Sequence, residues 1–359
     1  MGPSPTPHSP AGSRWLRHFS KLLVCATVFL IFLGGQVKSH DAGLAVPDWP
    51  TTYGVNMFLY HWSNWVGGIF HEHVHRLVAS SVGLMCIVLC AWLYARESRP
   101  WVRTLGVVAL VLVILQGLLG GLTVMLQLPA AVSTSHAVLA QSFLMLTVFV
   151  AYSLSIERSD RPRATVSPAW KLAGGLTLLI YVQLILGALM RHTESGLAIP
   201  DFPTMGGRYL PLFDSGMLAW INDWRFDKGY VNGQLLEPVT IGQVLIHFSH
   251  RVGAGLIAAW AVFVTWRVFR DTGNRPEVRR AVCLLDGLIV LQAGLGIFTV
   301  WMAKYPLVTS IHVATGAAVL GCSTLLLLRA CPAELTVRAA SASVSAGSAT
   351  EPSFDPIST

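Results

Sequence analysis

The sequence predicts an all-α integral membrane protein of eight transmembrane helices, folded as two tandem four-helix bundles related by pseudo-two-fold symmetry. Three observations predict it. The chain of 359 residues is 53% hydrophobic and 12% charged, with a mean hydropathy of +0.58, whereas soluble domains carry about 25% charged residues. Eight apolar segments are each about long enough to cross a hydrocarbon core of about 30 Å as a helix. A Pro/Gly-rich phrase occurs twice, GLAVPDWPT at 43–51 and GLAIPDFPT at 196–204, which marks a duplicated unit.

The segments at 22–37, 75–95, 104–126 and 134–156 form the first set, and those at 172–190, 244–266, 281–303 and 307–328 the second. A basic stretch before an apolar one also describes a signal peptide. No A-x-A-like site follows the first segment, so it reads as a retained helix. The division is then a first four-helix unit at 21–160, a cytoplasmic linker at 161–171 and a second unit at 172–330. Residues 1–20 and 331–359 read as disordered cytoplasmic ends, because 1–13 and 339–359 are rich in Pro, Ser and Ala.

Charge sets the orientation. Arg14, Arg17 and Lys21 precede the first span; Arg96, Arg99 and Arg103 lie between spans two and three; Arg158, Arg161, Arg163 and Lys171 between four and five. Arg267, Arg270, Arg275, Arg279 and Arg280 lie between spans six and seven, and Arg329 and Arg338 follow the eighth. All fall on one side, which places both termini in the cytoplasm and the chain in the cell inner (plasma) membrane. The formal net charge of +7 then reflects topology and membrane lipid, with basic loops facing anionic headgroups, and gives no sign of nucleic acid. The cysteines, Cys25, Cys86, Cys90, Cys283, Cys322 and Cys331, lie within or at the ends of spans and read as small core residues.

Each copy of the phrase precedes a related stretch. EHVHRLVASSVG from Glu72 answers HFSHRVGAGLIA from His247, LQGLLGGLTV (115–124) answers LQAGLGIFTV (291–300), and STSHAVLA (133–140) answers VTSIHVATG (308–316). The phrase itself reads as a turn after the first helix of each unit. Its prolines end helical structure, and Asp48 and Asp201 bond local amides. The phrase offset is 153 against 175–176 elsewhere, because the outer loop before span six has about 22 extra residues. Parallel repeats of this kind put the pseudo-axis along the membrane normal.

Four histidines are duplicated as two pairs, His75 with His136 and His250 with His312. Each interval covers one helix inward, a basic loop and one helix outward, so both members reach the same depth near the outer face. Two opposed imidazoles inside a helix bundle suit the axial positions of haem iron, whereas a zinc site needs three or four protein ligands. A lone His near a helix mouth is more often an interfacial side chain. Arg76 and Arg251 follow His75 and His250 directly and either pair with haem propionates or snorkel to headgroups. His40, His61, His71, His73, His192 and His247 have no duplicated partner and read as solvated or interfacial, with His71, one turn from His75, an alternative ligand. Gln116 and Gln292 are duplicated and read as bonds between helices. Asp286 in span seven has no counterpart and no assigned role.

The halves differ three residues before each His-Arg pair, where Glu72 stands in the first and His247 in the second. Residues i and i+3 share a helix face, so Glu72 is a candidate acid/base beside the His75 site, with helix capping as the alternative. The first unit then reads as the reacting site and the second as a permanent cofactor site.

EHVHR, the LGGLTV–LPAAVSTSH stretch, HFSHR, QAGLGIFTVW and GLAVPDWP resemble the haem A synthase family of bacteria and mitochondria over residues 20–330. The resemblance implies oxidation of the C8 methyl of haem O to the formyl of haem A, through an alcohol and a gem-diol that loses water. It implies a haem b cofactor on His250 and His312, the substrate haem on His75 and His136, and Glu72 as the catalytic residue. It also implies haem O synthase (protohaem farnesyltransferase) and cytochrome oxidase assembly as neighbours in the pathway, with an electron donor or acceptor besides. Some members carry a cysteine pair in the first outer loop; this chain has no Cys between 26 and 85. The alternative from the residues is a di-haem cytochrome b-type membrane electron-transfer protein. A transporter, the third class, predicts no bound haem.

Overall fold

The computed structural model describes residues 14–159, 167, 169–231, 234–271 and 275–332. The disorder expected of 1–13 and 333–359, and most of the expected linker, lie outside the described residues. Among those described, eight helices are long and apolar enough to span a membrane. They are α1 (Arg14–Ser39), α2 (Gly67–Arg96), α3 (Pro100–Met125) and α4 (Ala130–Ser153), then α6 (Trp170–His192), α8 (Ile241–Arg270), α9 (Pro276–Trp301) and α10 (Pro306–Ala330). Two shorter helices, α5 (Ile156–Ser159) and α7 (Ser215–Lys228), lie between spans, and a two-residue hairpin pairs Tyr230–Val231 with Gln234–Leu235. Proline at the first turn starts α3, α9 and α10, where its missing N–H costs nothing. Thr240 and Gln243 form a capping box at the start of α8.

Helix α1 corrects the expected disorder of residues 1–20, since it begins at Arg14. Leu16, Ser20, Leu23 and Thr27 form a buried stripe along one face, at helical spacing. Arg14, Arg17 and Lys21 occupy the other faces of those first turns and do not break the helix.

In the first unit α1 packs on α2, α2 on α3, α3 on α4 and α4 back on α1; in the second α6, α8, α9 and α10 repeat the cycle. Between units α1 meets α10, α4 meets α10 and α4 meets α6. Exchanging α1 with α6 and α4 with α10 leaves that set unchanged, which is what a two-fold relation demands. Polar ties reinforce the seam. Ser142 on α4 and Tyr181 on α6 share a hydrogen bond of 2.7 Å. Arg191 on α6 donates to the Gly35 carbonyl and the Ser39 hydroxyl on α1 at 2.6 and 2.7 Å. Glu194 accepts from Lys38 and from Lys304. Burial pushes the Glu194 carboxyl up, but the two ammonium groups outweigh it and hold the group below the usual carboxylate range.

The two turns fold alike. Asp48 accepts the amides of Tyr53 and Gly54 at 2.7 and 2.8 Å, and Asp201 those of Gly206 and Gly207 at 2.8 and 2.9 Å. Gly54 and Gly207 both lie at positive φ, 74° and 78°, where glycine carries no steric penalty. Burial raises the Asp48 carboxyl, and the bonds from Gly54, Thr51 and Tyr53 outweigh that and hold it low. The extra residues before α8 build α7, which lays Met217 and Ile221 over Ala198 and Ile199 of the second turn.

Trp49 lies against bare backbone at Gly121, where a Cβ would come within 2.4 Å of the indole. The second unit has Phe202 for Trp49 and Ile297 for Gly121, a smaller ring opposite a larger aliphatic residue. Gly121→Ala is expected to destabilise the protein by about 1–3 kcal/mol through overpacking, read as a lower thermal midpoint in detergent. Trp49→Phe in the same chain should restore most of the loss; a double variant as unstable as the single one refutes the pairing.

Candidate functional site

Helices α2 and α8 are each 30 residues long, about 45 Å at 1.5 Å per residue, which exceeds the hydrocarbon core. Their first turns therefore lie beside the two repeated turns, and their arginines reach across. Arg76 donates to the carbonyls of Val46, Asp48 and Thr51 at 2.9, 2.7 and 3.0 Å. Arg251 donates to those of Ile199 and Thr204 at 2.9 and 3.1 Å. Val46 and Ile199, and Thr51 and Thr204, are equivalent positions of the repeated phrase. Both guanidinium groups thus bond turn backbone, a use that the sequence reading did not include.

Glu72 and His247 complete the same latch. Glu72 is buried, 3% exposed; it accepts the Val46 amide at 2.8 Å and pairs with Arg76 at 2.5 Å. His247 is buried too, accepts the Ile199 amide at 3.1 Å, and meets Arg251 at 3.3 Å. The carboxylate expected to face a macrocycle edge is directed instead toward the turn, because the first turns of α2 stand beside it. His73 is likewise buried, against Thr52, Tyr60 and Trp65, where an interfacial side chain was expected.

His75 and His136 are carried by α2 and α4, which stand diagonally in the first unit; His250 and His312 are carried by α8 and α10, diagonal in the second. They are the ninth, seventh, tenth and seventh residues of their helices. All four therefore sit about 9–14 Å from one set of helix ends. Each ring lies deep in its bundle yet keeps accessible surface.

Each imidazole rests on a glycine of a neighbouring helix. A Cβ would lie 3.2 Å from Cε1 of His75 at Gly34, 3.0 Å from that of His136 at Gly120, 3.1 Å from that of His250 at Gly187, and 3.1 Å from that of His312 at Gly296. Gly34 and Gly187 are separated by the offset of the phrase, Gly120 and Gly296 by the offset of the later stretches. Glutamines approach three of the rings. Gln116 Nε2 lies 3.3 Å from Nε2 of His136, Gln183 Nε2 lies 3.1 Å from Nδ1 of His250, and Gln292 Nε2 lies 3.4 Å from Nε2 of His312. Among the described residues, the buried Nδ1 atoms of His75, His136 and His312 have no hydrogen-bond partner, a costly condition for protein alone. Deep imidazoles in diagonal pairs, with small residues beneath them and, among the described residues, no carboxylate or thiolate grouped with them to complete a metal cage, fit a porphyrin iron held between two imidazoles.

The glycine seats and Gln183 were not singled out from the sequence, although the repeat offsets contain them. His71 stacks on His40 with ring centroids 3.9 Å apart and lines a cavity of about 390 Å³ with Gln36 and Tyr305, turned away from the His75 role. Asp286 accepts the Thr265 hydroxyl at 2.7 Å and so joins α9 to α8. Among the described residues no disulfide joins any of the cysteines.

The chain matches, over residues 13–324, the family described as COX15-CtaA, cytochrome oxidase assembly protein. It is 26% identical over 316 residues to the Heme A synthase of Shewanella oneidensis, covering 84% of this chain and 92% of that protein. It is 26% identical over 345 residues to the Heme A synthase of Chelativorans sp. (86% and 89%). It is 23% identical over 294 residues to that of Listeria monocytogenes (80% and 86%).

The seats yield a direct test. Gly187→Ala and Gly296→Ala each force a ring to yield by a few tenths of an ångström. Both are expected to lower haem content per protein and to broaden the reduced α-band in a pyridine-free spectrum. Gly117→Ala, where a Cβ meets nothing within 4 Å, should change neither; equal effects at all three positions refute the seat assignment.

Proposed function

The chain belongs to the COX15-CtaA family of cytochrome oxidase assembly proteins, and from that premise we propose that it is a haem A synthase, an oxidoreductase that converts the C8 methyl of haem O to a formyl group. Relatives named Heme A synthase, aligned over most of both chains, support the reading. The observation that carries it in this molecule is the duplication of a diagonal imidazole pair on glycine seats.

His250 and His312 would hold a resident haem b, and His75 and His136 the substrate haem. Bound haem supplies a redox-active iron; the chain supplies everything that orients it. The seats set ring position, the latches fix the mouths of α2 and α8, and the apolar bundle walls keep bulk water from the reacting carbon. Glu72 would act as proton acceptor for the first site from the turn side of the helix mouth, and it is the one carboxylate of the latch pair. Its ion pair with Arg76 holds it at the helix mouth, where a proton leaving the substrate can pass toward the outer loops.

On the bias of the basic loops, both termini would face the cytoplasm and the haem sites would lie near the outer boundary of the cell inner membrane. Haem O then arrives from a prenyl-transferring synthase, and haem A passes to cytochrome oxidase assembly.

Two sets of variants test the assignment. His250→Ala or His312→Ala should strip haem b from purified protein, and His75→Ala should spare it; equal loss from all of them overturns the division between units. Glu72→Gln should keep the bis-imidazole absorbance while formyl haem falls below a hundredth of the parent level, read by pigment extraction. Undiminished haem A in cells carrying only that variant removes Glu72 from the chemistry.

A further inference from the structure

The two units differ at the base of their first histidine in a way that the turn latches do not explain. On α6, Gln183 stands one helical turn before the glycine seat of His250. Its Nε2 donates to the His250 carbonyl at 2.8 Å and lies 3.1 Å from His250 Nδ1. The amide fits only because α8 is bare beside it: a Cβ on Gly253 would come within 2.1 Å of Gln183 Oε1. The equivalent positions of the first unit hold Leu30 on α1 and Val78 on α2. A polar side chain and its glycine gap have been exchanged together for two aliphatic side chains.

The exchange adds side-chain bulk at both positions of the first unit and removes its polar group, and it has a chemical consequence. A ring that ligates through Nε2 carries its proton on Nδ1, and the Gln183 amide beside Nδ1 of His250, with its oxygen turned to the ring, accepts that proton and fixes ring orientation. At His75 the Nδ1 atom is buried without a hydrogen-bond partner among the described residues. The remaining two imidazoles, His136 and His312, both keep a glutamine. Those contacts are to Nε2, and the buried Nδ1 atoms of His136 and His312 have no partner among the described residues; of the four rings His250, in the second unit, is the one with an amide at Nδ1.

We propose that Gln183 with Gly253 is a positioning clamp that makes the second-unit haem resident, and that Leu30 with Val78 removes the clamp so that the first-unit haem can exchange. The proposal rests on the assignment of His250 and His75 as iron ligands. It gives the chain a built-in reason to retain one haem while releasing another whose substituent has been changed. Partners of ligating histidines commonly change metal affinity 10–100-fold when removed, which sets the expected scale. A cofactor must stay through many turnovers, whereas a product must leave once per turnover, so a difference of that order between the sites is useful.

The experiment is haem transfer from purified full-length protein to excess apomyoglobin, with the midpoint potential of the resident haem measured in parallel. Gln183→Leu is expected to speed loss of the resident haem about tenfold. Gln183→Glu, which keeps a polar partner at Nδ1, should hold the haem near the parent rate and shift its potential negative, a change that packing alone does not produce. Leu30→Gln with Val78→Gly, the reverse transplant, should slow haem release from the first unit about tenfold. If Gln183→Leu is too unstable to purify, the other two variants still decide. Unchanged release and potential in these variants, while His250→Ala strips the haem, overturn the clamp and leave the ligand assignment standing. Retention of haem by His250→Ala overturns the ligand assignment itself.

Discussion

Four glycines bring helix backbone into contact with four imidazoles, and the geometry of both centres follows from that contact. A ligating ring must hold its position to within a fraction of an ångström, yet an imidazole on a long helix can swing about two torsions. Bare backbone on the neighbouring helix removes that freedom without adding a bond that competes with the metal. Because the seat is on a different helix from the ring, it also sets the spacing of α1 to α2, α3 to α4, α6 to α8 and α9 to α10. Helix pairs in membranes approach closely at small residues. Here that general device places a functional group.

The latches serve the same end from outside. Arg76 and Arg251 each reach several carbonyls of a turn that has no regular structure of its own. Those carbonyls need partners, and a guanidinium offers several donors in one rigid plane. A partly buried arginine in turn needs acceptors, so the turn and the helix mouth satisfy one another. This explains why GLAVPDWPT and GLAIPDFPT survived as near copies. The phrase preserves carbonyl positions for an arginine and an amide for the residue four places before it, more than it preserves any side chain with chemistry.

Most of the architecture was legible from the letters. Eight spans, the two units and the four duplicated histidines follow from hydropathy and from offsets that hold across stretches of the chain. Helix ends were less legible. Hydropathy windows began α1 at residue 22, whereas Leu16 and Ser20 are buried and the helix starts at Arg14, because a basic face does not prevent an apolar stripe from packing. Side-chain direction was the least legible. Spacing of i and i+3 put Glu72 on the face of His75, but a helix face is broad, and the neighbouring turn supplied a stronger partner in the Val46 amide. Arg76 and Arg251 looked free for an anion because backbone carbonyls in a loop leave no mark in the sequence. The glycine seats were hidden for the opposite reason: glycine is common in membrane helices, and only coordinates distinguish a seat such as Gly120 from an unconstrained position such as Gly117.

What duplication preserved and what it released then separates structure from specialisation. The Asp-capped turns, the arginine latches, the glycine seats and the histidines are held in both units. The differences come in linked sets: Trp49 over Gly121 against Phe202 and Ile297, and Leu30 with Val78 against Gln183 with Gly253. The exchange of Glu72 for His247 is of another kind. Both side chains accept the same backbone amide and meet the same arginine, so the latch itself does not require a carboxylate. A position whose structural duty is met equally well by an imidazole, but which carries a carboxylate in one unit only, is where a second duty has been added. On that argument the chemical asymmetry proposed for the molecule falls in the first unit without reference to any relative, the unit also proposed to lack the amide clamp.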